Sequence, residues 1–236
     1  MSTQSVLHPA SSRGHVKFDW LESFHSFSFG HYHNPQKMGF GALRVINDDI
    51  IAGETGFDTH PHKDMEIITI PLQGRVLHKD SLGTEGDIKT NQVQMMAAGT
   101  GIRHSEHNPD AETLKLFQIW IIPRENGLKP TYQQMDYVLE SGQIKWLVSP
   151  EKSFRDQPTL AINQNAFIAM VELGEHALEL EAPMAGLGTY ILNVSGRFNV
   201  NGVELASRDA YGHWESGTEI RGESGSKLLI FHVPQL

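Results

Sequence analysis

Apolar positions in this chain fall in short runs, and where they alternate with polar ones the period is two. Residues 42–46 (ALRVI), 66–72 (EIITIPL), 93–96 (VQMM) and 114–122 (LKLFQIWII) are rich in β-branched and aromatic side chains and are bounded by Gly, Asn, Asp or Pro. Such runs read as strands. In 24–29 (FHSFSF) Phe27 and Phe29 share a face at strand spacing, so this segment is also predicted as strand. Residues 31–35 (HYHNP) read as a loop, and Asn47-Asp48-Asp49 as turn chemistry. Gln73-Gly74 marks a tight turn with 75–78 as the return strand, and Gly83 and Gly86 break the segment after it. No stripe at helical spacing appears.

Beyond the breaker-rich stretch 123–130 (PRENGLKP), a predicted linker, the same grammar resumes with 145–148, 166–171, 189–194 and 227–233. Asn201-Gly202 sits between alternating segments as a hairpin signal. Two successive groups of short strands predict an all-β chain, a sandwich or barrel built twice. The expected domains are 1–130 and 131–236, and the polar residues 1–19 are expected to cross the surface or pair at a sheet edge.

The 236 residues, 39% of them hydrophobic, suffice for such cores. No apolar run approaches a membrane span, and the N-terminal residues lack the apolar core of a secretory signal. A cytoplasmic location is therefore expected. The net charge of −9, with no Lys/Arg cluster, argues against a nucleic-acid partner. The chain has no cysteine, which removes disulfides and thiolate chemistry and leaves His, Asp and Glu as metal ligands.

Against that background two runs stand out: His60-Pro61-His62 and His104-Ser105-Glu106. On a strand, positions i and i+2 face the same way. Two such strands side by side would aim three imidazoles and a carboxylate into one volume, a donor set suited to a divalent transition metal. Each run follows a glycine-bearing turn, at Gly56 and at Gly99 with Gly101. Pro61 cannot donate to a ladder and suits a strand mouth rather than a sheet centre. Glu66 would share the face of His60 and His62 if their strand ran unbroken, so it competes with Glu106 as the carboxylate. His78 and His107 read as bystanders, the latter on the wrong face. His31 and His33 read as loop residues rather than lining of a pocket mouth. Gly99-Thr100-Gly101 is not a dinucleotide loop, since His104 stands where a third glycine is required.

The stretches THPHKDMEIIT and GTGIRHSEHNP resemble the two signatures of the pirin family, a branch of the cupins, and FHSFSFGHYHNP and GFGALRVINDD resemble its N-terminal signature. The likeness is strong in the first half, extends to the second half only in layout, and is nearest to bacterial pirins described as quercetin 2,3-dioxygenases. It implies a bicupin, two β-barrels (double-stranded β-helices) with metal only in the N-terminal one. It further implies that His60, His62, His104 and Glu106 hold one metal, usually Fe(II), although Zn, Cu, Mn, Co and Ni accept such ligands. Glu66 then becomes a partner that orients a histidine. The implied reaction is metal-dependent cleavage of a flavonol such as quercetin by O2 with release of CO. Glu106 would serve as ligand, as base for the substrate hydroxyl, or as both, and Phe29, Phe40, Phe57 and Met95 are the expected pocket wall. The alternative implied by the same likeness is a non-enzymatic, metal-containing regulator that binds a transcription factor or a metabolic enzyme. A lesser one is an isomerase or other small-molecule cupin activity.

Overall fold

The computed structural model describes residues 5–236, so residues 1–4 of the polar N-terminal stretch lie outside the described residues. Among the described residues the only helix is a single 3-10 turn at Ala10–Ser12. The rest is strand and turn. The first twelve strands are β1 (Val6–His8), β2 (Gly14–Lys17), β3 (Leu21–His25), β4 (Leu43–Ile51), β5 (Gly56–His62), β6 (Glu66–Gln73), β7 (Arg75–Asp80), β8 (Glu85–Lys89), β9 (Gln92–Ala97), β10 (Ile102–His107), β11 (Leu114–Ile121) and β12 (Thr131–Asp136).

The N-terminal barrel closes a seven-stranded sheet, β12-β9-β6-β11-β4-β3-β2, over a four-stranded one, β5-β10-β7-β8. The C-terminal barrel repeats this plan. Its large sheet runs β1, Ala210–His213, Leu187–Ser195, Lys227–Pro234, Phe167–Glu172, Ile144–Ser149, Leu160–Ala161. Its small sheet runs Leu178–Leu180, Thr218–Gly222, Phe198–Val200, Val203–Leu205. The chain is a bicupin. The Asn-Gly hairpin forms with Asn201 at φ 49° and Gly202 at φ 83°, the left-handed pair that such a two-residue turn requires.

The two large sheets pack back to back. Phe27, Phe40, Ile46, Ile68, Met95 and Phe117 of the first barrel meet Leu147, Ile168, Tyr190, Leu229 and Phe231 of the second in one buried cluster. Fully burying a side chain of this size contributes about 1.5–3 kcal/mol. Edge strands cross the expected boundary at residue 130 in both directions. β1 pairs with Ala210–His213 at the margin of the C-terminal sheet, and β12 pairs with β9 at the margin of the N-terminal one.

Several local expectations change. Asn47-Asp48-Asp49 is the middle of β4 rather than a turn, because distant partners satisfy it. Asp48 accepts from Arg13 at 3.0 Å and from Arg208 of the second barrel at 2.7 Å, and Asp49 accepts from Ser23 at 2.5 Å. The strand expected over 24–29 stops at His25, since Phe27 turns into the inter-barrel core while the Ser28 hydroxyl donates to the Asn34 carbonyl. The segment 75–78 does not return along β6; β7 moves to the small sheet and pairs with β10 and β8. Gly86 lies inside β8 opposite His78, where the Tyr132 hydroxyl fills the space a Cβ would need.

Candidate metal centre and its cavity

β5 is the edge of the small sheet, which is why Pro61 is tolerated there. It pairs antiparallel with β10, His60 opposite His104 and His62 opposite Ile102. A bulge then sets Glu106 opposite Phe57, and the close approach at that point requires Gly56, whose Cβ would overlap the Glu106 carbonyl. Bulges of this kind re-aim side chains beside functional sites. Ligand atoms of His60, His62 and His104 all lie within 4.8 Å of one another.

Hydrogen bonds fix which nitrogen each ring presents. The Asp58 carbonyl, an acceptor only, takes the Nδ1 proton of His60 at 2.7 Å, which leaves Nε2 free as a donor to metal. Around His104 the assignment runs through two further residues. The Asp80 carboxylate accepts from Nε2 of His78 at 3.2 Å. Neutral His78 then carries no proton on Nδ1, which faces Nδ1 of His104 at 3.3 Å. His104 is therefore the donor, and its Nε2 is left with a lone pair. That Nε2 is buried and has no hydrogen-bond partner. Burial, then the charge of His60, pushes His62 down to about 4, and burial with its histidine neighbours pushes His104 down to about 2. Neutral imidazoles with orphaned lone pairs fit a metal, so the cluster is built for one bound ion.

Glu106 faces inward two residues from His104 and is buried. It accepts from Thr69 Oγ1 at 3.2 Å and from Gln118 Nε2 at 2.8 Å. Burial lifts its carboxyl to about 7, against the opposing pull of those two bonds. Asp49, lifted to about 7 chiefly by burial, lines the cavity from the large sheet. Glu66 does not orient a histidine. Asp64, at φ 47°, breaks the chain between β5 and β6, and Glu66 turns toward the second barrel, where its nearest polar partner is the Asn163 amide at 3.5 Å.

A cavity of about 370 Å³ opens on His60 and His62. Phe18, Trp20, Phe29, Phe57 and Trp120 form its aromatic walls, and Ser23, His25, Asn47, Asp49 and Gln118 supply polar atoms. Trp120 meets His62 edge to face at 4.9 Å and Phe29 at 5.2 Å. Phe29 and Phe57 stand in the wall. Phe40 and Met95 do not: both belong to the inter-barrel core, Phe40 stacked on Trp214 at 4.7 Å. His31 is exposed on a turn, as expected, and also lines the mouth. His78, expected to be a bystander, is the residue that orients His104. A lone histidine carries no sequence signal for that role, but its i+2 spacing to Asp80 on one strand does.

Comparison with known proteins agrees with this geometry. The pirin family model matches residues 7–121, and a model described as the quercetinase C-terminal cupin domain matches 146–233. The chain is 42% identical to a quercetin 2,3-dioxygenase of Escherichia coli (strain K12), over 97% of this chain and 98% of that protein. It is 40% identical to a putative quercetin 2,3-dioxygenase of Pseudomonas aeruginosa, over 95% and 97% respectively. The crystal structure of the E. coli pirin YhhW in complex with nickel(II) matches with a TM-score of 0.92 at 39% identity, covering 99% of this chain and all of that one. With both halves matched in order, the chain belongs to the pirin family.

Proposed function

We propose that the protein is a metal-dependent dioxygenase that opens a flavonol such as quercetin with O2 and releases CO. The observation that carries this reading is the meeting of three neutral imidazoles with an aromatic-walled cavity of about 370 Å³. The names of its relatives support it.

His60, His62 and His104 would hold the metal, with Glu106 beside them; each Glu106 oxygen keeps a lone pair beyond its bond to Thr69 or Gln118. A bound divalent ion, most simply Fe(II), supplies Lewis acidity and open positions for oxygen ligands. The chain does the rest. Trp120, Phe29 and Phe57 hold a planar ring system and exclude water. Glu106, poised near neutrality by burial, takes the proton of the substrate hydroxyl, as a general base should. Thr69 and Gln118 stabilise the carboxylate that accepts it.

The regulator reading expects a metal sealed from small molecules, and a cavity reaching two of its ligands weighs against it. The test is anaerobic loading with Fe(II), then quercetin in air, following flavonol absorbance and CO. Metal-dependent turnover that disappears in His62→Ala and Glu106→Ala is the expected result. Stoichiometric metal binding with no turnover would return the weight to a regulator.

A further inference from the structure

One row of interior side chains extends past the metal centre. In register across four strands stand His25 on β3, Asn47 on β4, Gln118 on β11 and Thr69 on β6. Thr69 and Gln118 hold Glu106. Asn47 and His25 carry the row onward, and both line the cavity. They are 3% and 5% exposed, yet Oδ1 of Asn47 and Nδ1 of His25 have no hydrogen-bond partner. Neighbouring strands lie about 4.8 Å apart, so Asn47 stands one spacing and His25 two spacings, roughly 10 Å, beyond Gln118. An aromatic wall spans the same distance: His62 against Trp120, Trp120 against Phe29, and Phe29 against His25 at 5.3 Å.

We propose that Asn47 and His25 form a hydroxyl-recognising subsite that selects aromatic substrates bearing phenolic groups on the ring remote from the metal. The proposal rests on the flavonol reading and specifies which flavonols the site prefers. The Asn47 carboxamide meets one phenolic hydroxyl, and the His25 ring, kept neutral by burial, meets a second as donor or acceptor. The flat ring between them packs on Phe29 and Trp120. A ligand without hydroxyls leaves these buried atoms unpaired, and such a site discriminates more sharply than an apolar pocket does. A purely structural role would be served as well by leucine at 47 and phenylalanine at 25, which would fill the same space without unpaired polar atoms.

The experiment is absorption titration of nickel(II)-loaded protein with three flavonols: quercetin, with two adjacent hydroxyls on the pendant ring; kaempferol, with one; and galangin, with none. The wild-type affinity is expected to fall about fivefold to tenfold for each hydroxyl removed. Asn47→Leu and His25→Phe should each erase one step of that ladder and leave galangin binding unchanged or tighter. Thermal unfolding midpoints check that the variants fold. The wild-type ranking decides the matter even if one of them does not. Equal wild-type affinity for all three overturns the subsite and leaves the flavonol reading standing. Variants that weaken all three ligands alike also overturn it. Failure of the wild type to bind any of the three removes the flavonol reading and the subsite with it.

Discussion

The two barrels share a strand plan and differ in what fills them. β5 corresponds to Leu178–Leu180 and β10 to Thr218–Gly222. The first pair of strands sets His60 opposite His104, and the second sets Leu178 opposite Ile220. Behind Leu180 and Ile220 lie Trp146, Val171, Ile191, Phe198 and Ile230 in a continuous apolar core. The first barrel divides its apolar packing into two small clusters, around Leu116 and around Met96. The space between is given to His25, Asn47, Asp49, Gln118 and the histidines. One barrel is thus a packed body and the other a walled container. The apolar contact that the container forgoes is offset by the large sheet it packs against that of its neighbour. The teaching is that function here is a substitution of interior residues on an unchanged strand plan.

The largest test of that contrast is removal of a ligand. His62→Ala should lower metal affinity more than about 100-fold, since even residues that only orient ligands contribute 10–100-fold. Isothermal titration with nickel(II) measures this, and circular dichroism should show the barrel intact. The reciprocal change should harm the packed body instead. Ile220→His places an imidazole in the apolar interior and should cost about 2 kcal/mol or more in chemical denaturation, with metal binding at the first barrel unaffected. His78→Phe comes next: it frees His104 to take the wrong tautomer and should cost 10–100-fold in metal affinity with little loss of stability. Asp80→Asn should move in the same direction by less.

The smallest effect is the response to pH, read by amide exchange in metal-free protein. Asp49 and Glu106 are lifted by burial to about 7, above their ordinary carboxyl values. The stability they allow is complete below those ordinary values and is lost as pH rises through about 7. His232, inside the second barrel, is pushed from 6.5 down to about 4 by burial. Its contribution is present above 6.5 and is lost as pH falls through about 4. Raising the pH from 5 to 8 should therefore open the first barrel preferentially, whereas acidification from 6.5 to 4 should loosen both, because burial also pushes down His25, His62 and His104 of the first. Uniform loss of protection in both barrels as pH rises from 5 to 8 would break the comparison.

The strand grammar and the two histidine-bearing runs were legible in the sequence because a period of two needs no knowledge of neighbours. What was hidden depended on distant partners. Asp48 reads as a turn residue until Arg13 and Arg208 are beside it. Phe40 and Met95 are plainly apolar, but a barrel wall with a second barrel behind it has two buried faces, and alternation cannot say which one a side chain takes. Glu66 was misplaced by a single left-handed residue, Asp64. The row His25-Asn47-Gln118 is scattered over three strands and exists only in register.

The exchanged edge strands have a consequence for the order of synthesis. β1 is made before the first barrel, and its partner Ala210–His213 only after that barrel. Until those residues exist the segment has no strand partner. Pairing of β1 cannot precede synthesis of the second barrel's residues. A C-terminal half made alone would lack that strand and present the bare edge of Ala210–His213, a template for association with other chains.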